Sequence, residues 1–262
     1  MRWEELTGDQ FPEAVRKSAG VCLLPLSCLE RHGHHLPLGT DMYIGRELCN
    51  RTAALEPAIV FPDFIFTQIL EARHVPGCIG IKPKLILRLL ENTCREIARN
   101  GLKKIVIVNA HGGNDSLIHF FAQAQLASRR DYVVYIAGSH NPPDGALTWE
   151  TTVDGHAGEQ ETSEMMVIRP DLVHASVMPA DGEGNPLERL KDLRDLGVST
   201  GIWWYADHPT HYCGDGRFGT PAKGEACLEA RARALAEAVR AIKEDHTAPQ
   251  LQDEFFGRVD WG

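Results

Sequence analysis

GVCLLPLSCLERHGHHLPLGTD, residues 20–41, changes character halfway along. Residues 20–27 form an unbroken apolar run bounded by Gly20 and a polar loop. A strand with one wet face alternates apolar and polar residues, whereas a continuous run reads as a strand covered on both faces. Strands of that kind belong to parallel sheets wrapped by helices. Directly after the run, one loop crowds together Glu30, His32, His34, His35 and Asp41. A loop has no structural need for that many imidazoles and carboxylates.

Working outward, strands and helices alternate. Residues 40–55 read as a helix starting at Thr40 or Asp41, and PAIVFPDF (57–64) reads as a second strand. The spacing predicts a helix over 83–100: Pro83 suits a first turn, Ile86, Leu89, Leu90 and Ile97 make one stripe, and Gly101 stops it. KKIVIVNA (103–110) is another buried strand, followed by a Gly-rich turn and a helix from about Asp115 with Leu117, Phe121 and Ala124 on one face. YVVYIAG (132–138) is a further strand, and 141–157 is loop-rich. A helix from about Gly158 must end near Pro170. Residues 180–219 read as long loops with short elements, and a last helix runs from Pro221 to about Lys243 with Leu228, Leu235, Val239 and Ile242 inward. The expectation is one α/β domain over residues 1–262, with a mostly parallel sheet.

Charge and composition narrow the function. With 27 Lys and Arg against 36 Asp and Glu, the net charge is −9. No basic excess is available to displace counterions from a nucleic acid backbone. No apolar run approaches the roughly 20 residues that span a bilayer, and the N-terminus lacks a signal-like apolar stretch, so no membrane partner is expected. The seven cysteines include no Cys-x-x-Cys, which disfavours a disulfide framework or zinc ribbon and suits a reducing cytoplasm. Those in apolar stretches read as small core hydrophobes.

In an open parallel sheet, ligands bind beyond the carboxyl ends of the strands. Three polar clusters fall at such ends or within reach of them. In the first, Glu30 and His32 point the same way in an extended segment, and Asp41 begins a helix. Asp41 could simply cap that helix, and His34 or His35 could be surface loop residues. In the second, NAHGGND (109–115), His111 follows a buried strand, and Gly112 and Gly113 let backbone approach a ligand. In the third, DGHAGEQETSEMM (154–166), His156 lies in a turn and Glu161 shares an inward stripe with Met165 and Ile168. A carboxylate there needs a partner or a metal. Glu159 and Glu164 read as a solvated helix face or as acids at the favourable N-terminal end of the helix dipole. Carboxylate and imidazole together suit a hard or borderline divalent ion. Glu30, His32, Asp41, His111 and Glu161 suffice for two ions if Asp41 bridges.

With these motifs in order, the chain resembles the creatininase (creatinine amidohydrolase) superfamily. The resemblance rests on SCLERHGHHLPLGTD (27–41), NAHGGN (109–114) and HAGEQETS (156–163), with weaker echoes at VPGCIG (75–80) and GTPAKGE (219–225). It implies a metal-dependent hydrolase of a carbon–nitrogen bond in a small amide or cyclic amide, in a hexamer of α/β/α subunits. It implies Glu30, His32, Asp41, His111 and Glu161 as ligands of two divalent ions, zinc first and manganese or iron next. His156 would shuttle the proton, with Glu161 beside it in the catalytic set, and Gly112, Gly113 and Asn114 would contact the substrate. Arg31, Ala110, Cys78 and Ala72 depart from the family pattern, and creatinine itself is not assured as substrate. Relatives that share the site suggest a formylaminopyrimidine-nucleotide deformylase or a mycofactocin-type peptidase. A non-catalytic, metal-stabilised oligomer is the reading from another class. A flavodoxin-like module is disfavoured, because Glu30 stands where a phosphate loop would be.

Overall fold

The computed structural model describes residues 1–138 and 141–259. Among these, the strands β1 (Val21–Leu26), β2 (Ile59–Val60), β3 (Lys104–Asn109) and β4 (Val133–Ile136) form one sheet. Its order is β2-β1-β3-β4 and every pairing is parallel. The helices are α1 (Phe11–Lys17), α2 (Thr40–Leu55), α3 (Pro83–Arg99), α4 (Asp115–Ala124), α5 (Glu159–Ile168), α6 (Lys191–Asp195), α7 (Trp203–Asp207), α8 (Pro221–Glu244) and α9 (Thr247–Val259).

The strands divide their side chains between two cores, as a pleat requires. Cys22, Leu24, Leu26, Ile105 and Ile107 pack against Leu90, Cys94 and Ile97 of α3 and Ile118 and Phe121 of α4. Val21, Leu23, Val106 and Val108 face the other way, onto Leu48 and Cys49 of α2 and Leu235, Val239 and Ile242 of α8. Helices therefore cover both faces, and the three-layer α/β/α expectation holds. Each fully buried Leu or Ile contributes about 1.5–3 kcal/mol, which makes these two cores the main source of stability.

The connections decide where a site can form. The chain leaves β1 through α2 to β2 on one side, then crosses through α3 to β3 on the other. The carboxyl ends of β1 and β3 lie side by side, with Leu26 opposite Asn109. Their following loops diverge there and open the crevice of a doubly wound sheet.

Several local readings change. The second strand shrinks to two residues because Pro62 has no N–H to give. The segment still follows β1 through Phe61 N–H to Leu23 O and Phe64 N–H to Pro25 O. Helices α1 and α9 were not legible as such. Glu159 and Glu164 are not on a solvated face; both are fully buried. Glu159 pairs with Lys223 and accepts the backbone N–H groups of Glu150 and Thr151. Glu164 accepts Arg231 Nη1 at 2.5 Å. Both cations come from α8, which lies across α5 where only distant sequence could reveal it.

That crossing is close. A Cβ at Gly224 of α8 would lie 2.0 Å from the Ser163 carbonyl oxygen of α5. Gly224→Ala must therefore push the helices apart. It should cost about 1–3 kcal/mol. At about 2–4 °C per kcal/mol for a chain of this size, calorimetry should register a fall in Tm of several degrees.

Candidate metal centre

Each polar cluster is delivered by a different part of the fold. Glu30 and His32 follow β1, His111 follows β3, Asp41 stands in the first turn of α2, and Glu161 in the first turn of α5. Helix N-termini favour negative charge, so the two helical carboxylates arrive at positive ends. All five residues expected from the sequence meet, and all are buried.

They meet as two groups joined by one residue. Cys28, Glu30, Asp41 and His111 bring donor atoms within 4.8 Å of one another, and so do His32, Asp41 and Glu161. Asp41 divides its oxygens between them. Its Oδ1 lies 2.8 Å from His32 Nε2, and its Oδ2 lies 3.3 Å from His111 Nδ1. Glu30 Oε1 is 2.7 Å from His111 Nδ1, and Glu161 Oε2 is 3.6 Å from His32 Nε2. Glu30, His32 and His156 make a third convergence.

Three carboxylates this close are unstable without positive charge among them. Burial opposes a proton on His32, but Asp41 and Glu161 outweigh it and push the pKa up to about 10. His111 goes the same way: burial resists the charge, and Glu30 overcomes it. Burial would raise Glu30, yet the charge on His111 holds it well below the usual carboxylate range. With protons as the only counter-charges, two imidazolium groups offset two of the three acids and leave one negative charge over. The donors are the types that bind borderline divalent ions, and they converge from separate segments in two groups that share Asp41. The residues thus fit a metal pair.

His156 differs from the other histidines of the cluster. Its Nε2 lies 2.7 Å from the Arg31 carbonyl oxygen, so Nε2–H donates there and Nδ1 keeps the lone pair. Burial pushes its pKa down to about 4, which leaves it neutral. Its ring lies tilted against those of His32 and His211, with centroids 4.4 and 4.2 Å away. The next residue, Ala157, adopts a left-handed φ of 57°, and its N–H reaches Glu161 Oε2 at 2.6 Å. That turn is tied to a distant loop: His156 N–H donates to Cys213 O, and Cys213 N–H donates back to His156 O.

The distant loop carries a residue that sequence reasoning missed. His211 Nε2 donates to Glu30 Oε2 at 2.6 Å, while Trp204 Nε1–H donates to His211 Nδ1 at 2.8 Å. The Trp–His pair fixes the tautomer and hence the carboxylate. The signal was the pairing of His208 and His211 in an otherwise loop-like stretch. Cys28 was also missed as a site residue; it is no plain core hydrophobe, since its Sγ lies 3.3 Å from Glu30 Oε1 and 3.4 Å from Asp41 Oδ2. Of the first loop's remaining histidines, His34 is exposed and His35 is buried against Thr162 Oγ1 at 2.8 Å.

A cleft of about 460 Å³ opens onto the centre. Gln68, Glu71, Gly112, Gly113, Asp115, Trp203 and Trp204 line it together with the central residues. Gly113 is needed there, because a Cβ would meet Glu71 Oε1 at 2.4 Å and His111 Nε2 at 2.5 Å. Asn114 is not on the cleft wall. It is buried and donates to Asn109 Oδ1, so it shapes the turn.

The fold and the donor set define an α/β metallohydrolase. The family description "Creatininase: Creatinine amidohydrolase" matches residues 4–239, and the chain belongs to that family. A creatinine amidohydrolase of Pseudomonas putida is 27% identical over 190 residues, 64% of this chain and 72% of that one. A mycofactocin precursor peptide peptidase of Mycolicibacterium smegmatis is 27% identical over 246 residues, 91% of this chain and 92% of that one. The fold matches a manganese form of creatininase with a TM-score of 0.73 at 22% identity, over 93% of this chain and 99% of that one. A variant creatininase of Zn–Zn type has the same TM-score and identity, over 93% and 98%.

Two outcomes follow from the geometry. Divalent ions must displace the protons on His32 and His111, so metal uptake at neutral pH should release protons. Affinity should rise with pH toward the His32 value of about 10 and fall on acidification. Calorimetry in buffers of different ionisation enthalpy counts those protons. His211→Asn keeps a residue that tolerates the left-handed backbone found at 211 but removes the imidazole from Glu30. It should weaken metal binding roughly 10–100-fold in a chelator competition.

Proposed function

We propose that this chain is a metal-dependent hydrolase of a carbon–nitrogen bond in a small amide or cyclic amide. The observation that carries the reading is Asp41, with one oxygen in each of two donor groups. Glu30, His32, Asp41, His111 and Glu161 would hold two divalent ions, zinc most readily, manganese or iron otherwise. When bound, the ions supply Lewis acidity, polarising a carbonyl and making a water more acidic.

The chain's own residues do the rest. His156, neutral and with Nε2–H committed to Arg31 O, keeps Nδ1 to accept a proton and return it to the leaving nitrogen. Arg31 O therefore sets which nitrogen works. Glu161 is oriented by Ala157 N–H, and Glu30 by His211. Gly112 and Gly113 bring backbone to the cleft wall without side-chain bulk. Trp203 and Trp204 offer flat apolar faces to a small planar substrate.

The cleft also weighs the alternatives. Among the described residues, no lysine or arginine lines it, and Glu71 and Asp115 add carboxylates outside the donor groups. A phosphorylated nucleotide would meet those acids, which disfavours the deformylase reading. Peptidase action stands second, favoured by the near full-length match to the M. smegmatis protein. The whole chain, 1–262, would act as one domain in the cytoplasm. No helix among the described residues is long and apolar enough to cross a membrane. We further propose a homo-oligomer, a hexamer by family resemblance, for which exposed Leu193, Leu196, Val198 and Ile202 offer an apolar contact.

The test is a hydrolysis screen after metal restoration, covering creatinine, lactams, formamides and short peptides. Turnover of a non-phosphorylated amide or lactam is expected. Retained metal with no hydrolysis of any of them would favour the non-catalytic oligomer. On the substrate found, His156→Ala should retain its metal and lose about 10²–10⁴-fold in kcat. Wild-type turnover in that variant removes the shuttle role.

A further inference from the structure

The Cys28 thiol stands where none of the expected ligands explains it. It is wholly buried two residues past β1, and it does not line the cleft that Glu30 and Asp41 line. Its sulfur lies 3.3 Å from Glu30 Oε1 and 3.4 Å from Asp41 Oδ2. Those same two oxygens face His111 Nδ1 at 2.7 and 3.3 Å. Four donors from three segments thus surround one point.

The spacing can be compared with a real coordination shell. A tetrahedral zinc, with bonds of about 2.0 Å to nitrogen and oxygen and about 2.3 Å to sulfur, sets its ligand atoms about 3.3–3.5 Å apart. Three of the four edges above already have nearly that length, both sulfur edges among them. A sulfur serving only as hydrogen-bond donor has one proton to give, yet this one is equidistant, within 0.1 Å, from two carboxylates. A cation between them uses all four donors at once.

We propose that Cys28 is a direct ligand in this half of the centre, with Glu30, Asp41 and His111, and that its sulfur biases that position toward zinc over manganese. The inference rests on the metal-centre reading above and adds a soft donor to an otherwise hard set. Thiolate favours zinc, whereas carboxylate and water suit manganese. On coordination the S–H bond is replaced by a sulfur–metal bond. The proton leaves to solvent, and nothing is oxidised or reduced.

Cobalt(II) is the probe, because a thiolate ligand gives it a charge-transfer absorption in the near ultraviolet that oxygen and nitrogen ligands do not. The full-length protein, stripped and reloaded with cobalt, should show this band in step with bound metal. Cys28→Ser should bind cobalt but lose the band, and its preference for zinc over manganese should fall at least roughly tenfold. Cobalt bound without the band overturns the Cys28 assignment and leaves the metal centre standing. Failure to bind cobalt, zinc or manganese at all overturns the centre itself. Should Cys28→Ser not fold, X-ray absorption at the zinc edge of the unaltered protein decides the matter: sulfur in the zinc shell is expected, and a shell of oxygen and nitrogen alone overturns the proposal.

Discussion

Three carboxylates, Glu30, Asp41 and Glu161, meet in the interior of this protein, and most of its local architecture answers that fact. Like charges about 4 Å apart repel by about 4 kcal/mol at an effective dielectric near 20. A cluster of this kind persists only where positive charge is held among the oxygens. His32 and His111 supply it as imidazolium groups when protons are the only cations, and divalent ions supply it more fully. The electrostatic problem and the catalytic capacity are one arrangement.

The fold contributes at several scales. The parallel sheet sets the ends of β1 and β3 side by side, which brings Glu30 and His32 toward His111. Helices α2 and α5 point their positive ends inward, each with an acid in its first turn. Left-handed backbone at Ala157 and His211 aims an N–H at Glu161 and an imidazole at Glu30. Such non-glycine conformations cost on the order of 1–3 kcal/mol each and persist where neighbouring structure enforces them. The paired hydrogen bonds between His156 and Cys213 provide that enforcement. Further out, α8 anchors α5 through Glu159–Lys223 and Glu164–Arg231, so the helix that presents Glu161 is fixed from behind.

Chemistry and specificity separate in space. The donor groups lie at the floor of the cleft, and the wall is built from Gln68, Glu71, Asp115, Trp203 and Trp204. Proteins similar to this chain carry names as different as creatinine amidohydrolase and mycofactocin precursor peptide peptidase. The floor is constrained by charge, whereas the wall is assembled from the ends of short helices and from loops whose sequence pattern says little about a ligand. That division explains why the class of reaction is easier to read here than the substrate.

The sequence by itself determined the parts that local rules govern. Continuous apolar runs marked β1 and β3, helical periodicity marked α3, α5 and α8, and three motifs named the five donors and His156. Those features depend on neighbours along the chain. Tertiary structure alone decided the rest. Glu159 and Glu164 looked solvent-facing because their partners, Lys223 and Arg231, lie more than sixty residues away. His211 carried no motif because its importance comes from reaching Glu30 across 181 residues. Cys28 drew no reading of its own, because its contact with Asp41 exists only once the chain has folded back. A side chain's charge, tautomer and role depend on which groups surround it in space, and long-range packing of the chain chooses those groups.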